Sequence, residues 1–251
     1  MSLTFLGSGC ALTLSSHNFH SNFVIFDDTH GYLLVDCGTD IRFSLANAHI
    51  DPCDIGAIYI THLHADHIGG LEWLALYLKF ICPIARMPKL FIHKSLVDDL
   101  WEHSLRAGLR SQNGYTATLD TFFQICECDD HFQWANNNFE LIKAKHAYDN
   151  NKLLPCYGLF FDYLDKKIFF TADSQFQPLE FKKYYENADL IFNDCETSQV
   201  KTGLHATYHE LASLPANIKN KMWLYHYQVP VNTVLQDGFQ GFVIPGQNFF
   251  S

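Results

Sequence analysis

The chain has 251 residues, and 27 Asp and Glu against 17 Lys and Arg give a formal charge of −10 with histidine neutral. Hydrophobic residues make up 48% and charged residues 18% of the chain, which indicates a folded protein and argues against intrinsic disorder. The acidity argues against binding of long nucleic acids, because phosphate backbones are bound by basic surfaces.

The N-terminal segment has no basic stretch followed by a long apolar stretch, the pattern of a signal peptide. There is also no run of about 18 apolar residues, the length that a helix needs to cross a bilayer. We therefore expect a cytoplasmic protein without membrane association, whose eight cysteines are reduced thiols. Cys126 and Cys128 are expected to be structural, since two thiolates without further ligands do not make a metal site.

In the first half of the chain, apolar segments bounded by turn residues predict strands over residues 3–6, 21–27, 32–36, 57–61 and 90–92. Apolar residues at helical spacing predict helices over residues 71–81 and 96–109. Residues 111–138 are polar and rich in turn residues, which predicts a largely irregular segment.

In the second half, the same reasoning predicts strands over residues 139–144, 158–163, 167–171, 190–193 and 222–225. Residues 179–188 are predicted to be helical, and Thr207 with Glu210 forms a capping box that predicts a helix over residues 208–214. Strands dominate both halves, and no repeat or linker interrupts them. We therefore expect one α/β domain over residues 1–251, with two packed sheets and outer helices.

Three imidazoles and a carboxylate follow directly after the strand predicted over residues 57–61. In the sequence HLHADH (residues 62–67), His62 and His64 can point the same way from an extended backbone, while Asp66 and His67 follow on a turn. Neutral imidazole nitrogen and carboxylate oxygen are ligands of zinc and similar ions. Two glycines then allow the backbone to bend into the next helix. The sequence therefore predicts a metal-binding loop.

This stretch resembles the HxHxDH signature of the metallo-β-lactamase superfamily. Further motifs of that superfamily follow its order along nearly the whole chain: Asp36 in LLVDCG, His146 after a predicted strand, Asp173 in FFTADS and His226 in LYHY. The resemblance implies a four-layer αββα sandwich, an α/β fold, with the site where strand ends from both sheets meet.

The resemblance also implies two sets of ligands and a bridging residue, namely His62, His64 and His146 for one divalent ion, Asp66, His67 and His226 for the other, and Asp173 between them. Asp66 is expected to be essential for catalysis, and Asp36 is expected to orient the metal-binding loop through hydrogen bonds. We expect Zn²⁺, with Mn²⁺ and iron as alternatives, because histidine–carboxylate sites accept all three.

Two later motifs resemble those of ribonuclease Z and related phosphodiesterases. Residues 194–197 (DCET) stand where ribonuclease Z has a His-Glu-Ala-Thr motif, and residues 203–207 (GLHAT) resemble its following His-Ser-Thr motif. The resemblance implies that His205 protonates the leaving oxygen and that Glu196 orients His205. Asp194 departs from the pattern, since ribonuclease Z has a histidine at that place.

The interval between His146 and Asp173 bears on the substrate. Ribonuclease Z generally has a long tRNA-gripping arm there, whereas in this chain the interval is short and largely taken up by two predicted strands. Together with the negative charge, this favours a small cyclic nucleotide or related cyclic phosphodiester over tRNA. Bacterial and phage cyclic-nucleotide hydrolases are the most similar class, and the resemblance implies a homodimer.

Three alternatives remain open, namely a ribonuclease Z-type tRNA 3′ endonuclease, a lactone or thioester hydrolase, and a metal-binding scaffold without catalysis. Further candidates for substrate contacts lie on the loop after the first strand, namely Ser15, Ser16, His17 and His20. Within residues 100–138, the aromatic side chains that could stack on a base are Trp101, Tyr115, Phe122, Phe123 and Trp134.

Overall fold

The computed structural model describes residues 2–14, 18–82 and 87–250. Its chain divides into two compact units, composed respectively of residues 1–7, 15–129 and 245–251, and of residues 8–14 and 130–244. Among the described residues, no helix combines the length and the apolar sequence that a membrane span requires. The loop candidates Ser15, Ser16 and His17 lie outside the described residues.

In the first unit, the described strands are β1 (Ser2–Phe5), β2 (Phe23–Asp27), β3 (Gly31–Val35), β4 (Ile55–Ile60), β5 (Lys89–His93), β6 (Ser111–Gln112), β7 (Tyr115–Thr116) and β8 (Gln124–Cys128). Six of them form one sheet in the order β1-β2-β3-β4-β5-β8, antiparallel from β1 to β3 and parallel from β3 to β8. Strand β4 is buried along almost its whole length, as its continuous apolar sequence requires of a central parallel strand.

The helices described in this unit are α1 (Ile41–Asn47), α2 (Ala65–Ile68), α3 (Leu71–Phe80), α4 (Lys94–Leu100) and α5 (Arg106–Leu109), with a π-helical turn over Trp101–Leu105. The buried face of α3 consists of Leu71, Leu74, Ala75 and Leu78. These positions have the i, i+3, i+4, i+7 spacing of one helix face. The helices predicted over residues 71–81 and 96–109 are thus confirmed, the second with a π-helical turn in its middle.

In the second unit, the described strands are β9 (His131–Trp134), β10 (Asn137–Lys143), β11 (Tyr148–Asp149), β12 (Lys152–Leu153), β13 (Tyr157–Tyr163), β14 (Lys166–Phe170), β15 (Leu190–Asp194), β16 (Met222–Tyr225) and β17 (Gly241–Phe242). Seven of them form a sheet in the order β17-β16-β15-β14-β13-β10-β9, parallel from β14 to β17. The carboxyl ends of β14, β15 and β16 therefore meet at one edge.

Three short helices complete the second unit, namely α6 (Lys182–Asn187), α7 (Tyr208–Ala212) and α8 (Ala216–Lys219). The predicted capping box begins α7. The Thr207 hydroxyl accepts the backbone N–H of Glu210 at 3.3 Å, and the Glu210 carboxylate accepts the backbone N–H of Thr207 at 2.9 Å. Both hydrogen bonds satisfy donors that a helix start leaves without partners.

The structure corrects the prediction for residues 111–138, where β8 and β9 lie. In β9, Phe132 and Trp134 are buried and alternate with exposed neighbours, which is a strand pattern that the sequence does contain. Strand β8 is mostly half-buried or exposed, and it is ordered by its parallel pairing with β5. Its own sequence carries little strand preference, so tertiary pairing decides its conformation.

The cysteines also depart from expectation, because the structure joins Cys53 and Cys82 in a disulfide. Cys53 lies in the helical turn Pro52–Asp54 before β4, and Cys82 follows α3. The bridge closes a loop of 29 residues that contains β4 and residues 61–70. No local pattern in the sequence indicates this proximity, because Cys53 and Cys82 are far apart along the chain. The other cysteines of the described chain form no disulfide.

We predict that replacing both cysteines, Cys53→Ser with Cys82→Ser, lowers the free energy of unfolding by about 3 to 4 kcal/mol, because the open loop gains conformational entropy in the unfolded chain. Denaturant unfolding of the oxidised protein measures the change. The matched control is Cys126→Ser, which removes a free thiol. Equal unfolding free energies for the double variant and the unaltered protein would contradict the prediction.

Candidate metal centre

The first unit places its predicted ligands directly after β4. His62 follows β4, His64 has an extended backbone, and Asp66 and His67 lie in the single turn α2. The rings of His62 and His67 have centroids 4.1 Å apart, and those of His62 and His64 are 4.7 Å apart. His62, Asp66 and His67 are buried, while His64 is half-buried. The loop therefore brings four donors of metal-ligand type together.

Asp36 fixes the orientation of this loop. One oxygen of its carboxylate accepts the backbone N–H of Thr61 at 2.9 Å, and the other lies 2.7 Å from Nδ1 of His67. Because a carboxylate only accepts, the His67 proton sits on Nδ1 and Nε2 carries the lone pair that a metal needs. Burial raises the pKa of the Asp36 carboxyl, while His67 and Thr61 act to lower it. The expected bracing role of Asp36 is thus visible in the structure.

The glycines after the loop serve close packing. Gly70 has an ordinary φ of −94°, and its backbone N–H donates to Cys37 O at 2.9 Å. A Cβ on Gly70 would lie 2.4 Å from Gly38 O, and one on Gly38 would lie 2.2 Å from Asp66 O. Any larger side chain would push these backbone segments apart. The sequence analysis attributes the glycines to a sharp bend. In the structure they instead allow neighbouring backbone segments to approach closely.

The second unit places its predicted ligands after the carboxyl ends of its strands. His146 follows β10, Asp173 follows β14 and His226 follows β16. All three are buried. Oδ2 of Asp173 lies 3.3 Å from Nε2 of His226 and 3.8 Å from Nε2 of His146. A carboxylate between two imidazole nitrogens is the arrangement that a bridging ligand requires.

Asp194, at the end of β15, was not predicted as a site residue. Its Oδ2 lies 2.7 Å from Nδ1 of His205, and its Oδ1 lies 3.4 Å from Nδ1 of His226. Together with Asp173, these residues offer one ligand atom each within 4.8 Å of one another. The departure of DCET from the ribonuclease Z pattern was the available sequence signal, because it puts a carboxylate at a strand end.

The pKa values of Asp194 and His205 depend on the contact between these two side chains. Burial acts to raise the pKa of Asp194, but His205 and His226 outweigh it and hold that pKa below its usual value. Burial acts to lower the pKa of His205, and Asp194 outweighs it and raises that pKa. For His146, burial dominates and lowers the pKa, which favours the neutral imidazole that binds metals.

The predicted pairing of Glu196 with His205 is not what the structure shows. Asp194 contacts the His205 ring, whereas the Glu196 carboxylate accepts the backbone N–H of Thr202 at 3.0 Å. Glu196 lies beyond the end of β15, where its backbone pairs with Ala206 and Tyr208. A catalytic role for Glu196 stays a prediction.

The side chains proposed to contact the substrate differ in how far they are buried. Phe122, Phe123 and Trp134 are buried core residues, which removes them from the candidates for stacking on a base. Tyr115 is 49% exposed. The ring of His20 lies 3.5 Å from Asp40, within the first unit.

Three residues at the site have left-handed backbone conformations, which residues other than glycine rarely adopt. They are Asp36 with φ 62°, Ala172 with φ 53° and His226 with φ 61°. Such a conformation costs on the order of 1–3 kcal/mol and persists only where the surrounding structure enforces it. Here it turns the side chains of Asp36, Asp173 and His226 away from the strand direction at the strand ends.

The donor set fits divalent transition ions. Partners at Nδ1 of His67 and His146 make Nε2 the unprotonated nitrogen of each ring. Carboxylates lie beside Nε2 of His67, His146 and His226. For His146 the partner at Nδ1 is the backbone carbonyl of Leu204 at 3.0 Å, which can only accept. Imidazole with carboxylate is the ligand chemistry of Zn²⁺, Mn²⁺ and iron.

The chain is similar to known proteins in sequence and in structure. The family model described as "Anti-Pycsar protein Apyc1" matches residues 1–249. A protein of that description from Paenibacillus sp. (strain J14) is 34% identical over 230 residues, which cover 90% of this chain and 88% of the relative.

Among solved structures, the metallo-β-lactamase fold protein YhfI from Bacillus subtilis has a TM-score of 0.76 at 18% identity, with 99% of each chain covered. The short form of human tRNase Z has a TM-score of 0.70 at 19% identity, with 100% of this chain and 99% of the other covered. These structures confirm the predicted metallo-β-lactamase fold.

We predict that Asp36→Asn weakens Zn²⁺ binding by about 10- to 100-fold, as removal of such hydrogen-bond partners does in other metal sites. The amide of asparagine would donate to Nδ1 of His67, which moves the ring proton to Nε2 and blocks the metal-binding nitrogen. Competition with a chromophoric chelator measures the affinity. Asp28→Asn, at an exposed turn, is the matched control. The same Zn²⁺ affinity in both variants would contradict the role of Asp36 in orienting His67.

Proposed function

Because the chain belongs to the family described as anti-Pycsar protein Apyc1, we propose that it is a dinuclear metal-dependent phosphodiesterase that hydrolyses a small cyclic nucleotide or a related cyclic phosphodiester. The observation that carries the proposal is the set of buried histidines in which Asp36 contacts Nδ1 of His67 and the Leu204 carbonyl accepts from Nδ1 of His146. With the proton on Nδ1, Nε2 is the unprotonated nitrogen, which is what a metal ligand requires.

The ligand assignment that we propose follows the superfamily resemblance, with His62, His64 and His146 on one ion, Asp66, His67 and His226 on the other, and Asp173 bridging. We propose Zn²⁺ as the native metal. Two such ions would lower the pKa of a bound water and neutralise charge on the phosphodiester oxygens while the alkoxide leaves phosphorus. The protein's own contribution is to hold the imidazoles in one tautomer and to keep the site buried.

His205 is the proposed general acid. Its Nδ1 is held by Asp194 at 2.7 Å, so Nε2 is the nitrogen from which a proton can pass to the leaving oxygen. Asp194 also raises the pKa of His205, which keeps the ring protonated to higher pH. A cyclic phosphodiester has an alkoxide leaving group, which needs that proton.

A small substrate is favoured by the chain between His146 and Asp173. The hairpins β11–β12 and β13–β14 occupy residues 148–170, and these described residues hold no long extension. The formal charge of −10 further disfavours a long polyanion. The name of the relatives describes antagonists of Pycsar, which accords with a small-molecule substrate. We also propose a homodimer that works in the cytoplasm.

The tRNA 3′ endonuclease remains the second candidate, because the short form of human tRNase Z has the same fold over the full length of this chain. We predict that the Zn²⁺-loaded protein converts 3′,5′-cyclic nucleotides to linear monophosphates and leaves precursor tRNA and lactones intact. Chromatography of a panel with all four bases, an unprocessed tRNA and a lactone measures this. Cleavage of the tRNA with no loss of cyclic nucleotide would establish the alternative.

A second prediction concerns His205. We predict that His205→Asn lowers kcat on a cyclic nucleotide by about 10²- to 10⁴-fold. Its loss on bis(p-nitrophenyl) phosphate is expected to be much smaller, because nitrophenolate leaves without a proton. Asp66→Ala, which removes a proposed ligand, should abolish hydrolysis of both. His209→Asn, on an exposed position of α7, is the control. Equal losses on both substrates after His205→Asn would rule out the general-acid role.

A further inference from the structure

The loop between Glu196 and Thr207 carries His205, and Glu196 closes it twice. The backbone N–H of Glu196 donates to Ala206 O at 2.8 Å, and its carbonyl accepts from Tyr208 N–H at 3.0 Å. Its carboxylate reaches into the loop and accepts the backbone N–H of Thr202, at 3.0 Å from Oε1 and 3.2 Å from Oε2. The Glu196 side chain therefore fixes the middle of the loop and not only its base.

From Thr202 the hydrogen bonds continue to a proposed metal ligand. The Thr202 hydroxyl accepts the backbone N–H of Leu204 at 3.2 Å. The carbonyl of Leu204 accepts Nδ1–H of His146 at 3.0 Å. Three hydrogen bonds thus connect the Glu196 carboxylate to the His146 ring, and His205 is the next residue along the chain. The ring centroids of His146 and His205 lie 4.9 Å apart.

Other contacts hold the ends of the loop, since the backbone N–H of Thr197 donates to Oε1 of Gln228 at 2.9 Å and that of Ala206 donates to Ser174 O at 2.7 Å. The middle of the loop is exposed. Val200 is 80% exposed, Thr202 is exposed, and Gly203 has a left-handed φ of 75° with nothing within 4 Å of an added Cβ. Glu196 itself is only 2% exposed. A buried carboxylate is costly unless hydrogen bonds offset the loss of water. The backbone contact with Thr202 gives this buried carboxylate a specific partner.

We propose that Glu196 is a positioning residue that acts through Thr202 and Leu204 to hold His146 in its metal-binding tautomer and to place His205. The inference rests on the proposed metal-dependent function. It differs from the direct orientation of His205 by Glu196 that the sequence resemblance implies, because the Glu196 carboxylate acts as a hydrogen-bond acceptor for backbone and not as a charge beside His205. Glutamine can replace an acceptor, whereas it cannot replace a charge.

The test is Zn²⁺ affinity by chelator competition in four variants. Glu196→Ala and Thr202→Val each remove one acceptor, and each is expected to weaken binding of one of the two ions by about 10- to 100-fold. Glu196→Gln and Thr202→Ser keep an oxygen acceptor and are expected to restore the affinity towards that of the unaltered protein. Because Thr202 is exposed, Thr202→Val keeps the test valid if Glu196→Ala fails to fold. Glu186→Ala, on the exposed face of α6, is the matched control.

Two outcomes overturn the inference alone, in a protein that binds Zn²⁺ and hydrolyses cyclic nucleotides. The first is unchanged Zn²⁺ affinity in Glu196→Ala and Thr202→Val. The second is a Glu196→Gln variant that is as weak as Glu196→Ala, since that result would assign the effect to charge. If the unaltered protein binds no Zn²⁺, the proposed function fails and the inference fails with it.

Discussion

Hydrogen bonds at Nδ1 of His67 and His146 are the constraint on which the site depends. A neutral imidazole has one nitrogen that carries a proton and one that can bind a metal, and an acceptor at Nδ1 decides which is which. Asp36 makes that decision for His67 and the Leu204 carbonyl makes it for His146. The elements around these ligands hold the two acceptors in place.

Asp36 and Asp194 are both fully buried, yet the pKa values of their carboxyl groups shift in opposite directions. Burial is the largest influence on both, and for Asp36 it prevails and raises the pKa. Asp194 lies between two imidazoles, and their combined effect lowers its pKa in spite of the same burial. A carboxylate that stays ionised beside His205 is what keeps that ring able to carry a proton. The overall charge of −10 says nothing about this local balance.

Backbone geometry explains why the ligands lie where they do. In the second unit, β14, β15 and β16 are parallel neighbours, so the residues that follow them share one edge of the sheet. Left-handed backbone at Ala172 and His226 then redirects the chain at those strand ends. In the first unit, the close approach of Gly38 and Gly70 to neighbouring carbonyl groups holds the histidine loop against the segment that carries Asp36.

The sequence alone determined the type of chemistry and most of the strands and helices. The HLHADH stretch is local, so its residues are neighbours in any fold, and the Thr207–Glu210 capping box is likewise a contact within one turn. Tertiary structure decided what depends on distant partners. The Cys53–Cys82 disulfide joins segments on either side of β4 and α3. Asp194 lies beside His205, where the motif had suggested Glu196, because Glu196 follows β15 and pairs through its backbone with Ala206 and Tyr208, a contact that forms only in the folded chain.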